Sequence, residues 1–332
     1  MTNTLIVGAG VAGLMAARTL TDAGHSVRVV DKGRSVGGRL ATRRVGEGRA
    51  DHGAQFFSVR SPIFQAHVDR WLDLDLAYVW SHGWSDGSLI RTKADGEGYP
   101  RYAIRGGMNA LAKHLAQGLD VMTNVKIDAL TATQTGWLAV AEDGHTFTAD
   151  RVILTAPVPQ SLALVENGKT TLHAGDLAAL QRIAYAPCVA GIFHVEGKVN
   201  LPVPGALQQI GSPIAWVADN QRKGISPNAR LITVHAGPEL SRELWDTDPG
   251  TALDELQSQG LQLYMAPTTR ILSGQIKKWR YALPIVIHPA PFLAAQDLPP
   301  LLFAGDAFGG PRVEGAALSG LAAAGQMLGL AD

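Results

Sequence analysis

Thr4-Leu5-Ile6-Val7-Gly8-Ala9-Gly10-Val11-Ala12-Gly13 is the stretch that decides how this chain folds. Thr4–Val7 is a short apolar run of the kind that forms a buried parallel strand. LMAARTLTDAG follows Gly13 with a helical pattern closed by Gly24. Ser26–Val30 is the next strand, and it ends on Asp31, 18 positions beyond Gly13. Strand, G-x-G-x-x-G, helix, strand and acid stand in the order of a dinucleotide fold. Gly8 suits the tight turn, Gly10 the approach of a pyrophosphate to the backbone, and Gly13 close helix–strand packing. The helix N-terminus then offers N–H groups and a positive dipole end to phosphates. Asp31 is placed to accept from a ribose hydroxyl. NAD and FAD both fit this fingerprint.

Composition bounds the rest. The 332 residues suit about two domains, with 46% apolar residues supplying an ample core. Lys and Arg total 29 against 29 Asp and Glu, a balance that argues against a surface built for nucleic acid or an anionic membrane. Glycine is in excess, 37 residues with no collagen period, which places it in turns and close backbone approaches. The lone Cys188 forms no internal disulfide, and ten scattered histidines without HExxH spacing make a metal site unexpected. The apolar N-terminus lacks the basic n-region of a signal sequence. Ala316–Leu330 is too short and too rich in Gly and Ala for a membrane span. A cytoplasmic location is expected.

Further blocks narrow the cofactor. Lys32-Gly33-Arg34-Ser35-Val36-Gly37-Gly38-Arg39 follows Asp31, and Asp51-His52-Gly53-Ala54-Gln55-Phe56-Phe57 follows that. Leu302-Phe303-Ala304-Gly305-Asp306-Ala307-Phe308 and Arg312-Val313-Glu314-Gly315-Ala316-Ala317-Leu318-Ser319-Gly320 stand near the C-terminus. On these blocks the chain resembles the flavin-containing amine oxidase superfamily, and within it the renalase-like proteins, over essentially its whole length. The resemblance implies an α/β (α+β) fold: a Rossmann-type FAD-binding domain interleaved with a mostly antiparallel substrate domain, as in flavoproteins like the amine oxidases and p-hydroxybenzoate hydroxylase. Residues 1–57, 105–157 and 298–332 are expected in the first domain, 58–104 and 158–297 in the second.

The resemblance also implies the contacts of a non-covalent FAD. Gly8, Gly10 and Gly13, with Val11 and Ala12, hold the pyrophosphate, and Asp31 takes the adenosine ribose beside Lys32. Arg39, after Gly38, lies along the diphosphate, where its fork of donors suits a buried anion. Gln55 and Phe56 stand next to the flavin, and the Val125 backbone contacts adenine. Gly305 and Asp306 sit against the diphosphate and ribityl chain; Val313, Glu314 and Ala316 lie near the isoalloxazine pyrimidine edge. A helix opening near Val313 aims its positive end at charge gathered by reduced flavin.

In the remaining chain, Gly106-Gly107 opens a helix with Met108, Leu111, Ala112 and Leu115 on one face, and Leu119–Thr123 is the strand that follows. Trp137–Ala141 and Thr146–Thr148 make a hairpin, and Arg151–Ala156 is a strand stopped by Pro157 and Pro159. A helix is expected near Asp176–Ile183, with strands at Cys188–Val195, Ile214–Ala218 and Leu231–His235. Trp216–Lys223 and Lys278–Pro284 look like the renalase substrate domain, which implies Asn220, Lys223, Trp279 and Tyr281 as substrate-binding residues. Cys188 reads as a small buried hydrophobe.

The flavin then carries the chemistry, and no catalytic side chain is expected beside it. The expected reaction passes a hydride from a small substrate to flavin N5, with dioxygen as acceptor and hydrogen peroxide as product. The resemblance sharpens the substrate to isomeric dihydro-NAD(P), returned to NAD(P)+. Amine oxidation, desaturation and flavin binding without turnover stay open. A plain NAD-dependent dehydrogenase would not need Gly37-Gly38-Arg39 and Gly305-Asp306 together.

Overall fold

The computed structural model describes residues 3–85 and 98–330, so residues 86–97 of the expected substrate domain lie outside the described residues. The chain divides into two compact units, 1–40 with 111–185 and 284–332, and 41–110 with 186–283.

The first unit is built on a six-stranded sheet in the order Leu293–Ala294, Leu301–Phe303, Arg151–Leu154, Asn3–Val7, Ser26–Asp31, Asp120–Thr123. All neighbours pair in parallel except the first two. Parallel strands need crossovers, and the Val11–Asp22 helix supplies the first, directly after the glycine turn. That helix packs against Arg312–Leu328, both faced with small residues. A Cβ on Gly320 would lie 2.1 Å from the Ala12 carbonyl oxygen, so glycine sets how closely these helices approach. A three-stranded antiparallel sheet, Ile127–Thr133, Gly136–Ala141 and Thr146–Ala149, buries Trp137 against the core that Leu154, Leu301 and Phe303 line.

The second unit is built on a five-stranded sheet in the order Ala206–Gln208, Ile214–Asp219, Arg230–Ala236, Ala184–Glu196, Arg270–Val286, with antiparallel registers such as Ala190↔His235 and Ala218↔Thr233. Alternation gives its faces opposite characters. Val189, Phe193, Val217, Ile232 and Val234 bury one face with the helices Pro238–Glu243 and Pro249–Leu256. The other face carries Ile192, Trp216, Leu231, Thr233 and His235. Onto it folds the hairpin Thr42–Val45/Gly48–Asp51, with Val45 and Ala50 packed on Ile192 and Leu231.

The unit boundaries fall elsewhere than at 57, 105, 157 and 298, for reasons of packing. Residues 41–57 belong with the second unit because the hairpin is buried on that sheet. Residues 158–185 belong with the first: Gly168 lies so close to Leu130 that a Cβ would meet its carbonyl oxygen at 2.0 Å. Four helices depart from the sequence reading, Pro238–Glu243 and Pro249–Leu256 among them. Pro159 stands in the first turn of Val158–Asn167, where a missing N–H costs nothing, and so does not end the structure there. Pro62 opens Pro62–Asp73, which buries Phe64, Val68 and Trp71 at helical spacing and is not among the helices expected.

Candidate functional site

The first unit assembles a cradle at the C-terminal end of its parallel strands. Gly8 has φ +116°, outside the range of L side chains, and a Cβ there would be 2.4 Å from Thr155 Oγ1. A Cβ on Gly13 would be 2.0 Å from the Gly8 carbonyl oxygen, whereas one on Gly10 would meet nothing within 4 Å. The backbone is therefore open at Gly10, where a phosphate has to come close, and closed at Gly8 and Gly13, where strand and helix pack. No side chain caps the helix that starts at Val11, so its first-turn N–H groups have no side-chain acceptor and Val11 and Ala12 stand at the open dipole end.

Asp31 also holds this loop together. Its Oδ2 accepts from the Ala9 N–H at 2.7 Å and its Oδ1 from Gly33 at 2.6 Å, leaving a second lone pair on each oxygen. The Val125 N–H donates to the Asp31 carbonyl at 2.9 Å, which pins Val125 beside the acid. Lys32 reaches Gln160 Oε1 at 3.0 Å on the surface. The second glycine pair folds back on the first loop through Gly37 N–H to the Ala9 carbonyl, 2.8 Å, and Gly38 packs on Gly10.

Arg39 and Asp306, expected separately along a diphosphate, hold each other in a bidentate pair at 2.6 and 2.7 Å. Gly305, at φ +131°, donates to Ser319 Oγ at 2.8 Å, tying the Gly-Asp turn to the C-terminal helix. No side chain caps that helix either; Val313 and Ala316 are buried and Glu314 stands in its first turn. This donor set fits a flavin dinucleotide: an open glycine at one uncapped helix start, an acid at the end of the second strand, and an arginine at the second glycine pair.

The second unit brings Gln55, Asn220 and Lys223 together around a residue that sequence reasoning passed over, Asp51. The Lys223 ammonium is wholly buried and donates to Asp51 Oδ2 at 2.6 Å and to the Gln55 carbonyl at 2.5 Å. Its third direction is filled by the Trp80 ring, 4.8 Å to the centroid. Burial pushes the ammonium below its ordinary range, and the Asp51 carboxylate opposes that shift. Asp51 Oδ1 accepts from Thr42 Oγ1 and from the Met108 N–H at 2.9 Å, at the glycine turn that opens Asn109–Ala116. Gly107, at φ +104°, has to be glycine because a Cβ would stand 2.5 Å from Thr42 and 3.0 Å from Asp51 Oδ1.

Asn220 does not face a pocket. Its amide is consumed inside, accepting from the Asp51 N–H at 3.2 Å and donating to the Leu231 carbonyl and Thr233 Oγ1 at 2.9 and 3.0 Å. Phe56 joins an aromatic cluster with Trp80, Trp84 and Trp216, whose indoles stand edge-to-face at 4.7–6.0 Å. None of the three indole N–H groups has a hydrogen-bond acceptor among the described residues, and neighbouring ring faces are the acceptors on offer. Trp279 stacks on His52 at 5.4 Å and donates to its carbonyl at 2.9 Å. Tyr281 is half-buried on the same strand, two residues on.

His52 and His235 are held neutral. Burial, with Lys277, His235 and Arg43 adding charge repulsion, lowers His52 to about 3. Burial and Lys223 lower His235 to about 4, against the pull of the His52 carbonyl. His52 Nδ1, His235 Nε2 and Gln55 Oε1 are buried without partners among the described residues. Cys188 is half-buried rather than wholly buried, and the desolvation of its sulfur pushes the thiol up to about 12. Iodoacetamide at pH 8 is therefore expected to leave Cys188 unmodified in the folded protein and to alkylate it in urea, as intact-mass measurement would show.

Among the described residues, no group of three or more His, Cys, Asp or Glu is set to hold a metal ion, and no helix is long and apolar enough to cross a membrane. Comparison with known proteins agrees with the cradle. Residues 6–71 match the NAD(P)-binding Rossmann-like domain. The chain is 40% identical over 63 residues to the flavin-dependent L-tryptophan oxidase RebO of Lentzea aerocolonigenes, 19% of this chain and 13% of the relative. It is 30% identical over 127 residues to the 1-hydroxycarotenoid 3,4-desaturase of Flavobacterium sp., 35% of this chain and 25% of that one. These matches thus span a quarter or less of the curated relatives. A putrescine oxidase structure shares the fold, with TM-score 0.71 at 15% identity over 99% of both chains. Residues 85–328 match the flavin containing amine oxidoreductase family, and with the glycine cradle ahead of them this chain belongs to that family.

Proposed function

We propose that the protein is an FAD-dependent oxidase that binds its cofactor non-covalently in the first unit's cradle and takes a hydride from a small substrate. The observation that carries the reading is the Gly10 opening, flanked by Asp31 and by the Arg39–Asp306 pair. When bound, the flavin supplies the hydride acceptor at N5 and passes the electrons on to dioxygen, giving hydrogen peroxide. The chain's own residues bind and orient. The uncapped start of Val11–Asp22 receives the pyrophosphate, Asp31 the ribose, and the open end of Arg312–Leu328 favours negative charge on a reduced ring.

Our finer reading is renalase-like: oxidation of isomeric dihydro-NAD(P) to NAD(P)+. His52 and His235, at about 3 and 4, are too weakly basic to take a proton effectively near neutral pH, and the Lys223 ammonium is paired with Asp51, which suits a substrate that gives a hydride without prior deprotonation. The relatives named as amino-acid oxidase and desaturase keep a second reading alive, and the Phe56–Trp216 cluster favours it as an apolar surface for an aromatic or alkyl substrate.

The purified protein is expected to be yellow, and Gly13→Val to be colourless because its first carbon would strike the Gly8 carbonyl. Anaerobic titration separates the substrates. Dihydropyridine isomers are expected to bleach the flavin within seconds. Bleaching by amines or amino acids alone would replace the finer reading with the second, and absence of any flavin would overturn both.

A further inference from the structure

The six-stranded sheet of the first unit places Arg151–Leu154 between the two strands that lead into glycine turns. Leu154 is in register with Val7 on one side and with Phe303 on the other. Thr155 is the next residue, half-buried and outside every glycine motif of the sequence. Its N–H donates to the Val7 carbonyl at 2.9 Å, and its Oγ1 lies 3.0 Å from the Gly8 carbonyl oxygen and 3.1 Å from that of Val7. A hydroxyl has one hydrogen to give. The Val7 oxygen is already served by the Thr155 N–H, so the Gly8 oxygen is the one that depends on the hydroxyl. No other donor reaches the Gly8 carbonyl among the described residues.

The peptide that joins Gly8 to Ala9 is therefore held at both ends. Its carbonyl accepts from Thr155, and its N–H donates to Asp31 Oδ2 at 2.7 Å. The Gly8 N–H donates to the Val30 carbonyl and the Ala9 carbonyl accepts from Gly37, both at 2.8 Å, which fixes the peptides on either side. These holds matter because Gly8, at φ +116°, has no Cβ to restrict its rotation. Turned over, the peptide would set an oxygen against the Asp31 carboxylate in place of an N–H. The Gly8 oxygen also bounds the helix start: a Cβ on Gly13 would meet it at 2.0 Å and Thr155 Oγ1 at 3.0 Å. One hydroxyl thus packs against the first and third glycines of the turn while Gly10 stays open. The Thr155 carbonyl, in turn, lies 3.5 Å from a Cβ built on Gly305, and the Leu154 carbonyl accepts from the Ala304 N–H at 3.0 Å.

We infer that Thr155 is a positioning residue for the dinucleotide: its hydroxyl fixes the sense of the Gly8–Ala9 peptide, and through it the place of Gly10 and of the helix start that receive the diphosphate. It touches the loop, not the ligand. The inference deepens the cofactor reading and rests on it for the identity of the dinucleotide. Valine has nearly the shape of threonine without its donor, so Thr155→Val leaves the Gly8 oxygen unsatisfied, and Thr155→Ser restores the donor.

FAD release from the loaded protein is the first measurement, followed by the fluorescence of free flavin after dilution. Thr155→Val is expected to lose FAD about tenfold or more faster than the wild type, the size expected for one carbonyl left without its donor, and Thr155→Ser to stay within about twofold. Thr131→Val is the control. It removes the same kind of bond, from Thr131 Oγ1 to the Gly168 carbonyl at 3.0 Å, elsewhere in the unit. Equal release from the wild type and Thr155→Val, a loss that serine does not recover, or one that Thr131→Val matches would overturn the inference.

Calorimetry with ADP on the full chain, stripped of any flavin, supplies the second arm, since ADP carries the diphosphate without the flavin ring. Its binding is expected to weaken about tenfold in Thr155→Val and to recover in Thr155→Ser. ADP bound equally by the wild type and Thr155→Val would sink the assignment whatever the flavin does. Where FAD binds and ADP does not, the release rates decide. If the wild type takes up no flavin while ADP still needs the Thr155 hydroxyl, the positioning role stands and the FAD reading falls. Binding of neither overturns both.

Discussion

Replacing Asp51 by alanine is expected to destabilise the second unit by about 3–5 kcal/mol, the usual effect of removing one partner of a buried ion pair. The size follows from what Asp51 holds. Its carboxylate is the charge partner of Lys223, accepts from Thr42 and Met108, and belongs to a residue whose carbonyl accepts from Thr233 at 2.8 Å and Gln55 at 2.7 Å. Alanine would leave an ammonium enclosed by Trp80 and the Gln55 carbonyl with no counter-charge. Burying a charge in that state costs more than the pair contributes, so the penalty comes mostly from the stranded lysine. The paired replacement Asp51→Asn with Lys223→Met is therefore expected to recover at least half of the loss, since it removes both charges. Urea titrations of the two single variants and the double would measure the coupling. Additive losses would show that the pair is not a unit.

Acid is expected to act on the same unit with comparable force. His52 titrates at about 3 and His235 at about 4 in the folded chain, against about 6.5 when unfolded. Between these limits the unfolded chain binds protons that the folded chain refuses, so stability rises with pH and is lost as pH falls below 6.5. The slope approaches about 1.4 kcal/mol per pH unit for each histidine, or roughly 5 kcal/mol for the two between pH 6.5 and 4.5. Urea midpoints at pH 7 and 4.5 would show the fall, and His52→Gln is expected to halve it. A midpoint that stays level across that range would mean the imidazoles are reached by water and charge freely.

Both expectations concern residues that the sequence reading treated unevenly. The resemblance assigns roles to Lys223 and Gln55 but none to Asp51, which links them. Asp51 and Lys223 are 172 positions apart in the chain, and no spacing rule links an acid at a hairpin end to a lysine in a later loop. Asn220 shows the reverse. A polar residue after a strand reads as pocket-facing, but the bend at Asp219–Ile225 turns its amide inward, where the Leu231 carbonyl and Thr233 need it. His235 alternates correctly along its strand, but only the fold shows that its face of the sheet meets His52 and Lys223. The Pro62–Asp73 helix was legible in principle, with proline at its start and Phe64, Val68 and Trp71 at helical spacing, but the glycines and aromatics around it obscured the period.

The sequence by itself determined the dinucleotide cradle, because that site is made of local backbone: a glycine turn, a helix start and an acid at the end of the next strand, all within 40 residues. The second glycine pair and the Gly305–Asp306 turn are legible through the family resemblance, and their glycines take φ values that few other residues tolerate. The tertiary structure alone decided the rest. It joined Arg39 to Asp306 and locked Lys223 to Asp51. Those contacts depend on strand order and register, and on which groups lose water when the sheet closes. Long-range pairing and desolvation have no period along a chain, so they become visible only when the chain is folded.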